Sequence, residues 1–248
     1  MSSTAILLSG QLRTFAACYP TQRWHVLRHV INPHFFFTIQ DQPDIDEILA
    51  PLIADYGVDR VHVQRLTDPD LTAELTPLLS RAYHQAPYAN AAPAHQLLLQ
   101  HYYQAKVWKF FQSLSSQLSA LSSIDTIIRL RPDLWFHSYE STRASTVWED
   151  EVLTPWWGRF GGLNDRFAVM GPAAARGYFD VYAKIPELLG SYRAPFHPET
   201  LLLARLEMAQ IHVTQTLCAE FSTLRANGTA RPPEISPIDL AHCALRAS

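Results

Sequence analysis

The sequence predicts an α/β fold with a mixed, mainly parallel central sheet flanked by helices. Three observations predict it. Strand-like apolar runs alternate with helical patterns from Thr4 to Gln64, as βαβ units require. The β-branched run Ile124-Asp125-Thr126-Ile127-Ile128 reads as a further buried strand,. Between these blocks, residues 94–121 hold the longest helical pattern.

Thr4 to Leu8 reads as the first strand, ending at Ser9-Gly10. A helix is expected from Arg13 to Val30, broken by Pro20 and restarted at Thr21 as an N-cap,. Phe35 to Ile39 is the second strand, followed by the polar triplet Gln40-Asp41-Gln42. Ile45 to Tyr56 is a short helix stopped by Gly57,. Val58 to Gln64 alternates and reads as the third strand.

Residues 67–93 contain four prolines. They read as a loop carrying a short helix near Asp70 to Tyr83, and loops this long are often functional lids. In Ala94 to Leu121, apolar residues Tyr103, Val107, Phe110, Phe111, Leu114, Leu118 and Leu121 form one stripe,. Gln96, Gln100 and Gln104 form another face at i, i+4 spacing. The strand at 124–131 follows, and Pro132 marks its exit because proline cannot donate to a ladder.

Beyond Trp135 the pattern weakens. Val147 to Leu153 fits a helix or an extended segment, Pro155 to Gly158 a turn, and Phe160 to Asn164 a mobile glycine loop. Phe167 to Met170 is a short strand. Pro172 opens a helix to about Tyr182, and Pro198 another to about Met208,. Ile211 to Thr216 and Glu220 to Leu224 are late strands. The expected organisation is one domain over residues 1–228, with 229–248 a tail packed on its surface.

Composition narrows the classes. Of 248 residues, 48% are apolar, enough for a sizeable core. A net charge of −3 argues against nucleic acid as a partner,. Cys18, Cys218 and Cys243 form no Cys-x-x-Cys, which argues against a disulfide framework or structural zinc,. The histidines contain no His-Glu-x-x-His. There is no basic n-region before Ala5 and no apolar run of about 18 residues, so neither a signal peptide nor a transmembrane segment is expected. The expected setting is the cytoplasm.

Candidate site residues cluster at predicted strand ends. In open α/β sheets, ligands bind beyond the carboxyl ends of strands. Ser9-Gly10-Gln11-Leu12-Arg13 follows the first strand, where glycine admits a close ligand and Arg13 can meet a phosphate. Arg129, Arg131 and Asp133 share one face if the strand continues. They read either as an anion site, with Asp133 able to hold a cation, or as a structural Arg–Asp pair. Asp165, after Gly161-Gly162, is a candidate base or a turn cap. Glu199 in His197-Pro198-Glu199 is favoured near a helix start in any case. Arg225 before Asn227-Gly228 matters only if other groups converge on phosphate.

Taken in order, these blocks resemble a known family. They are Ser-Gly-Gln-x-Arg at 9–13, Ile-x-Arg-x-Arg-x-Asp-Leu at 127–134, Gly-x-x-Asp-x-Phe-Ala-x-Met-Gly at 162–171, Pro198-Glu199, and Arg-x-Asn-Gly at 225–228. The chain resembles small GT-A-type glycosyltransferase-like proteins of surface-polysaccharide and lipopolysaccharide gene sets. The resemblance implies a GT-A-like, Rossmann-like fold and sugar transfer from a nucleotide-diphospho-sugar donor to a hydroxyl on a glycan or glycolipid acceptor. It places Gly10, Gln11 and Arg13 against the nucleotide, and Asp133 at the Asp-x-Asp position that binds Mg²⁺ or Mn²⁺. Asp165 becomes the acceptor-side base, with Glu199 second in that role. A single base favours inversion over retention. Trp135 stands where the second aspartate belongs, so metal-independent neutralisation by Arg129, Arg131 and Arg225 is the alternative. Two other functions remain open: non-catalytic nucleotide-sugar or carbohydrate binding, and an unrelated Rossmann-like metal-assisted hydrolase.

Overall fold

The structure is a computed structural model that describes residues 2–79, 94–118, 121, 123–141, 146–192, 194, 196–215 and 219–231. Its seven-stranded sheet has the order β3-β2-β1-β4-β7-β6-β8. The strands are β1 (Ser3–Gly10), β2 (Pro33–Gln40), β3 (Val61–Leu66), β4 (Ile124–Leu130), β6 (Glu151–Leu153), β7 (Phe167–Met170) and β8 (His212–Thr214). Parallel pairing joins β3, β2, β1 and β4, and also β6 and β8. β7 runs antiparallel to both of its neighbours. This is the mixed, mainly parallel sheet expected from the sequence. A second sheet has the order β10-β9-β5, from β5 (Leu134–Tyr139), β9 (Ala219–Leu224) and β10 (Ala230–Arg231).

Alternation along the central strands builds two cores. Ala5, Leu7, Phe36 and Ile127 pack on one face with α4 (Ala94–Ser115), α5 (Pro172–Phe179), α6 (Val181–Gly190) and α7 (Pro198–Met208). Ile6, Leu8, Phe35, Phe37 and Ile128 pack on the other with α1 (Phe15–His25), α2 (Ile45–Tyr56) and the small sheet. Layers on both faces explain why β1 reads as an unbroken apolar run.

Several boundaries differ from expectation. α1 continues through Pro20. Ala16 and Pro20 both lie on its exposed side, so water can serve the carbonyl that proline leaves without a donor,. Residues Val58–Arg60 form a 3₁₀ turn, and the third strand begins at Val61. α4 ends at Ser115 rather than Leu121. The Ser113, Ser115 and Ser116 hydroxyls donate to carbonyls three residues back, which competes with the helix ladder,. The helix expected to end near Tyr182 is two, α5 and α6, separated at Asp180.

Asp133 is not on an extended strand. β4 ends at Leu130, and Arg131 to Leu134 form a turn in which the Leu134 N–H donates to the Arg131 carbonyl. β5 follows at once. In the long loop, α3 spans Thr72–Leu79, while residues 80–93 lie outside the described ones. So do residues 232–248, most of the expected tail. Among the described residues, no helix is long and apolar enough to cross a membrane.

Candidate functional site

A cleft of about 430 Å³ opens at the carboxyl ends of β1, β2 and β4. Ser9, Gly10, Gln11 and Arg13 line it after β1, and Arg129, Arg131, Pro132 and Asp133 line it at β4. Its roof is the start of α4, through His95, Gln96, Leu99, Gln100 and Tyr103. Six residues singled out from the sequence, Gly10, Gln11, Arg13, Arg129, Arg131 and Asp133, therefore share one cavity. Gly10 has φ +107°, which side-chain-bearing residues rarely adopt,.

Arg129 is the unusual member. It is 1% exposed, and its Nη1 makes only long contacts, 3.5 Å to the Leu7 carbonyl and 3.4 Å to that of Leu130. Its Nε has no hydrogen-bond partner among the described residues. Burial lowers its pKa to about 10, so it stays charged at neutral pH. A buried guanidinium without a close anion is costly. This one borders a cavity that can admit an anion.

Arg131 and Asp133 form the paired alternative foreseen from sequence. Arg131 Nε and Nη2 meet the two Asp133 oxygens at 3.0 and 2.7 Å. Burial works to raise the Asp133 pKa, but Arg131, the hydrogen bonds and Arg166 together hold it below the usual value. The two side chains share a face because a turn folds them together.

The donor set does not fit a resident divalent metal. Both Asp133 oxygens are taken by Arg131. Asp68, the other lining carboxylate, accepts from Tyr103 at 2.6 Å and from Gln40 at 2.8 Å. No cluster of three candidate ligands occurs among the described residues. Trp135 is 38% exposed and lies opposite Ser222 in the small sheet, away from the cleft lining.

Asp165 and Glu199 lie beside the cleft in a buried layer, and neither lines it. Asp165 is 2% exposed and accepts a hydrogen bond from Gln100, which does line the cleft. The glycine loop before it is pinned. Gly162 N–H donates to the Arg159 carbonyl at 2.7 Å, Leu163 N–H to the Glu199 carbonyl at 3.0 Å, and Asn164 Nδ2 to the Trp157 carbonyl at 2.9 Å. The Arg131 N–H then donates to the Arg166 carbonyl at 3.1 Å, tying the loop to the end of β4.

Glu199 is 3% exposed. Its carboxylate lies 2.5 Å from His197 Nδ1 and 3.7 Å from Arg166. Burial, then the charge on Asp165, raises the Glu199 pKa above 4.5 against the pull of His197 and Arg166. A raised folded-state pKa favours folding below the unfolded value, and that advantage is lost as pH rises through the folded value. The melting temperature of Glu199→Gln should therefore gain on wild type between pH 5 and pH 8. A difference that stays constant with pH would contradict this.

Arg225 is exposed and does not line the cleft. It follows Leu224, whose N–H donates to the Asp133 carbonyl at 2.9 Å. Sequence reasoning did not single out Asp68, Gln40 or Tyr103 as site residues. Together with Gln11, which bonds Gln40, they form a hydrogen-bonded side of the cleft. The polar triplet after β2 was the available signal for Gln40. Tyr103 was masked by its place in an apolar stripe.

No protein-family model matches the chain, and no curated protein sequence does. Among solved structures, the chain is similar to the apo form of the glycosyltransferase GlyE of Streptococcus pneumoniae TIGR4. That likeness has 11% identity and a TM-score of 0.44, and covers 86% of this chain and 45% of that one. It is also similar to the galactosyltransferase LgtC in complex with donor and acceptor sugar analogues. Here identity is 10% and the TM-score 0.46, with 81% of this chain and 69% of that one covered. The chain thus spans less than half the length of the GlyE chain.

Proposed function

We propose that this chain transfers a sugar from a nucleotide-diphospho-sugar to a hydroxyl of a glycan or glycolipid, within polysaccharide-precursor synthesis in the cytoplasm. The observation that carries the reading is Arg129, a buried cation with no close counter-ion, bordering a cleft that also holds Arg13 and Arg131. The order of sequence blocks supplies the sugar.

In this reading the diphosphate lies over Gly10 and Gln11, against Arg13, Arg129 and Arg131. As the bond from the anomeric carbon to the diphosphate breaks, the arginines stabilise the departing charge. Asp165 takes the proton of the attacking hydroxyl, which favours inversion. Glu199 is the weaker candidate for that role, since it does not line the cleft and its carboxylate already faces His197 and Arg166. Asp133 holds Arg131 rather than a metal.

One observation favours a second reading, nucleotide-sugar binding without transfer. Asp165 is buried and already bonded to Gln100, so an acceptor must displace Gln100 to reach it. A thermal-shift screen against UDP-, GDP- and dTDP-sugars, with a CMP-sugar as monophosphate comparison, tests the donor. A ligand at 100 times its Kd adds about 2.7 kcal/mol, or roughly 5 °C or more in a chain of this size. If no nucleotide sugar shifts the melting temperature, the donor reading fails. Asp165→Asn should keep the shift and lose transfer. A variant that still transfers removes Asp165 as the base.

A further inference from the structure

The turn that carries Arg131 and Asp133 into the cleft is held from outside the cleft by one side chain. Gln22, on α1, has an exposure of 0% and does not line the cavity. Its Nε2 lies 3.0 Å from the Leu134 carbonyl, 3.1 Å from that of Pro132 and 3.4 Å from that of Arg131. Three main-chain acceptors of one turn thus converge on a single amide nitrogen.

The need for such a group follows from the turn itself. Pro132 has no N–H, and its ring excludes a regular ladder on either side. The Arg131, Pro132 and Leu134 carbonyls turn toward α1, where an unpaired acceptor is costly, while that of Asp133 is met by the Leu224 N–H,. Burial of Gln22 also has a cost of its own, because its Oε1 has no partner among the described residues. An apolar residue would fill the space without that penalty.

We infer that Gln22 is a positioning residue. By gathering the Arg131, Pro132 and Leu134 carbonyls, it fixes the angle at which the Arg131–Asp133 pair meets the bound diphosphate. The neighbouring Thr21 serves the strand instead. Its hydroxyl donates to the Cys18 carbonyl at 2.9 Å and accepts from the Phe136 N–H at 3.0 Å. Thr21 and Gln22 therefore tie the same helix to the same segment, but only Gln22 grips the turn. The inference rests on the reading that the cleft takes a diphosphate.

Inorganic pyrophosphate is the probe. Gln22→Met keeps the length and bulk of the side chain and removes the donor. Thr21→Val removes the strand contacts and leaves the turn alone. The expected result is at least tenfold weaker pyrophosphate binding by Gln22→Met, with Thr21→Val binding like wild type at a lowered melting temperature. Equal weakening in both variants, or none in Gln22→Met, overturns the inference. A second measurement needs no variant. In the full wild-type chain, the Gln22 side-chain amide resonances should shift on pyrophosphate addition, and unmoved resonances overturn the inference equally. Wild type that fails to bind pyrophosphate instead sinks the diphosphate reading of the cleft.

Discussion

Arg129→Met is expected to weaken diphosphate binding about 100-fold while the melting temperature stays level or rises. The two effects have one cause. Arg129 is 1% exposed, and no ion pair holds it among the described residues. Replacing buried ion pairs with well-packed apolar groups is often neutral or stabilising, and the heavy penalty for stranding one partner does not arise where no ion pair exists. Asp165 and Asp133 act on the Arg129 charge without forming an ion pair, so the charge gains most when an anion fills the cleft. Loss of one partner of a desolvated charge pair costs about 2–5 kcal/mol, and roughly 2.8 kcal/mol corresponds to the 100-fold effect. Titration calorimetry and a thermal melt of the same sample read both quantities. A variant that binds normally, or one that is strongly destabilised, would make Arg129 structural. Arg131→Met should behave differently. It strands the Asp133 carboxylate, now held by two hydrogen bonds, and should lower stability and binding together,.

Gly162→Ala should be strongly destabilising. A Cβ there would stand 1.9 Å from the Glu199 carbonyl oxygen, 2.1 Å from its carbon and 2.5 Å from the Thr200 nitrogen. All three are main-chain atoms, so no rotamer change relieves the clash. The loop before Asp165 must separate from the start of α7, breaking the bond from the Leu163 N–H to the Glu199 carbonyl. Overpacking of this kind costs about 1–3 kcal/mol and occasionally more. At the upper end, the melting temperature falls by roughly 6–12 °C. Because the loop also carries Asp165 and Arg166, transfer should suffer beyond the loss of fold. A variant with wild-type stability would mean that the two segments are not in contact.

These expectations show which parts of the molecule can be read from local pattern. Strands buried on both faces declare themselves, so β1, β2, β4 and β7 were legible, as were helices bounded by Gly57 or opened by Pro198. Cleft residues beside strand ends were legible for the same reason. A charge such as Arg129 after an apolar run has few places to go but a crevice. Contacts between distant segments were not legible. Gln22 acts on residues more than a hundred positions away, and nothing in α1 marks it. Asp68 and Tyr103 meet across the long loop. β5 was hidden by Pro132, which rightly ended one strand and drew attention from the alternating Leu134-Trp135-Phe136-His137 that begins the next. The spacing of Arg131 and Asp133 suggested a shared strand face, and a turn produces the same closeness by another route.

Whether arginines hold a diphosphate in the β1–β4 cleft without a metal is read most directly by titrating UDP, GDP and dTDP into the wild-type chain in the presence of EDTA. The expected result is saturable binding of at least one nucleoside diphosphate with the chelator present. Binding of none of them, or binding that appears only when Mn²⁺ replaces the EDTA, would contradict it.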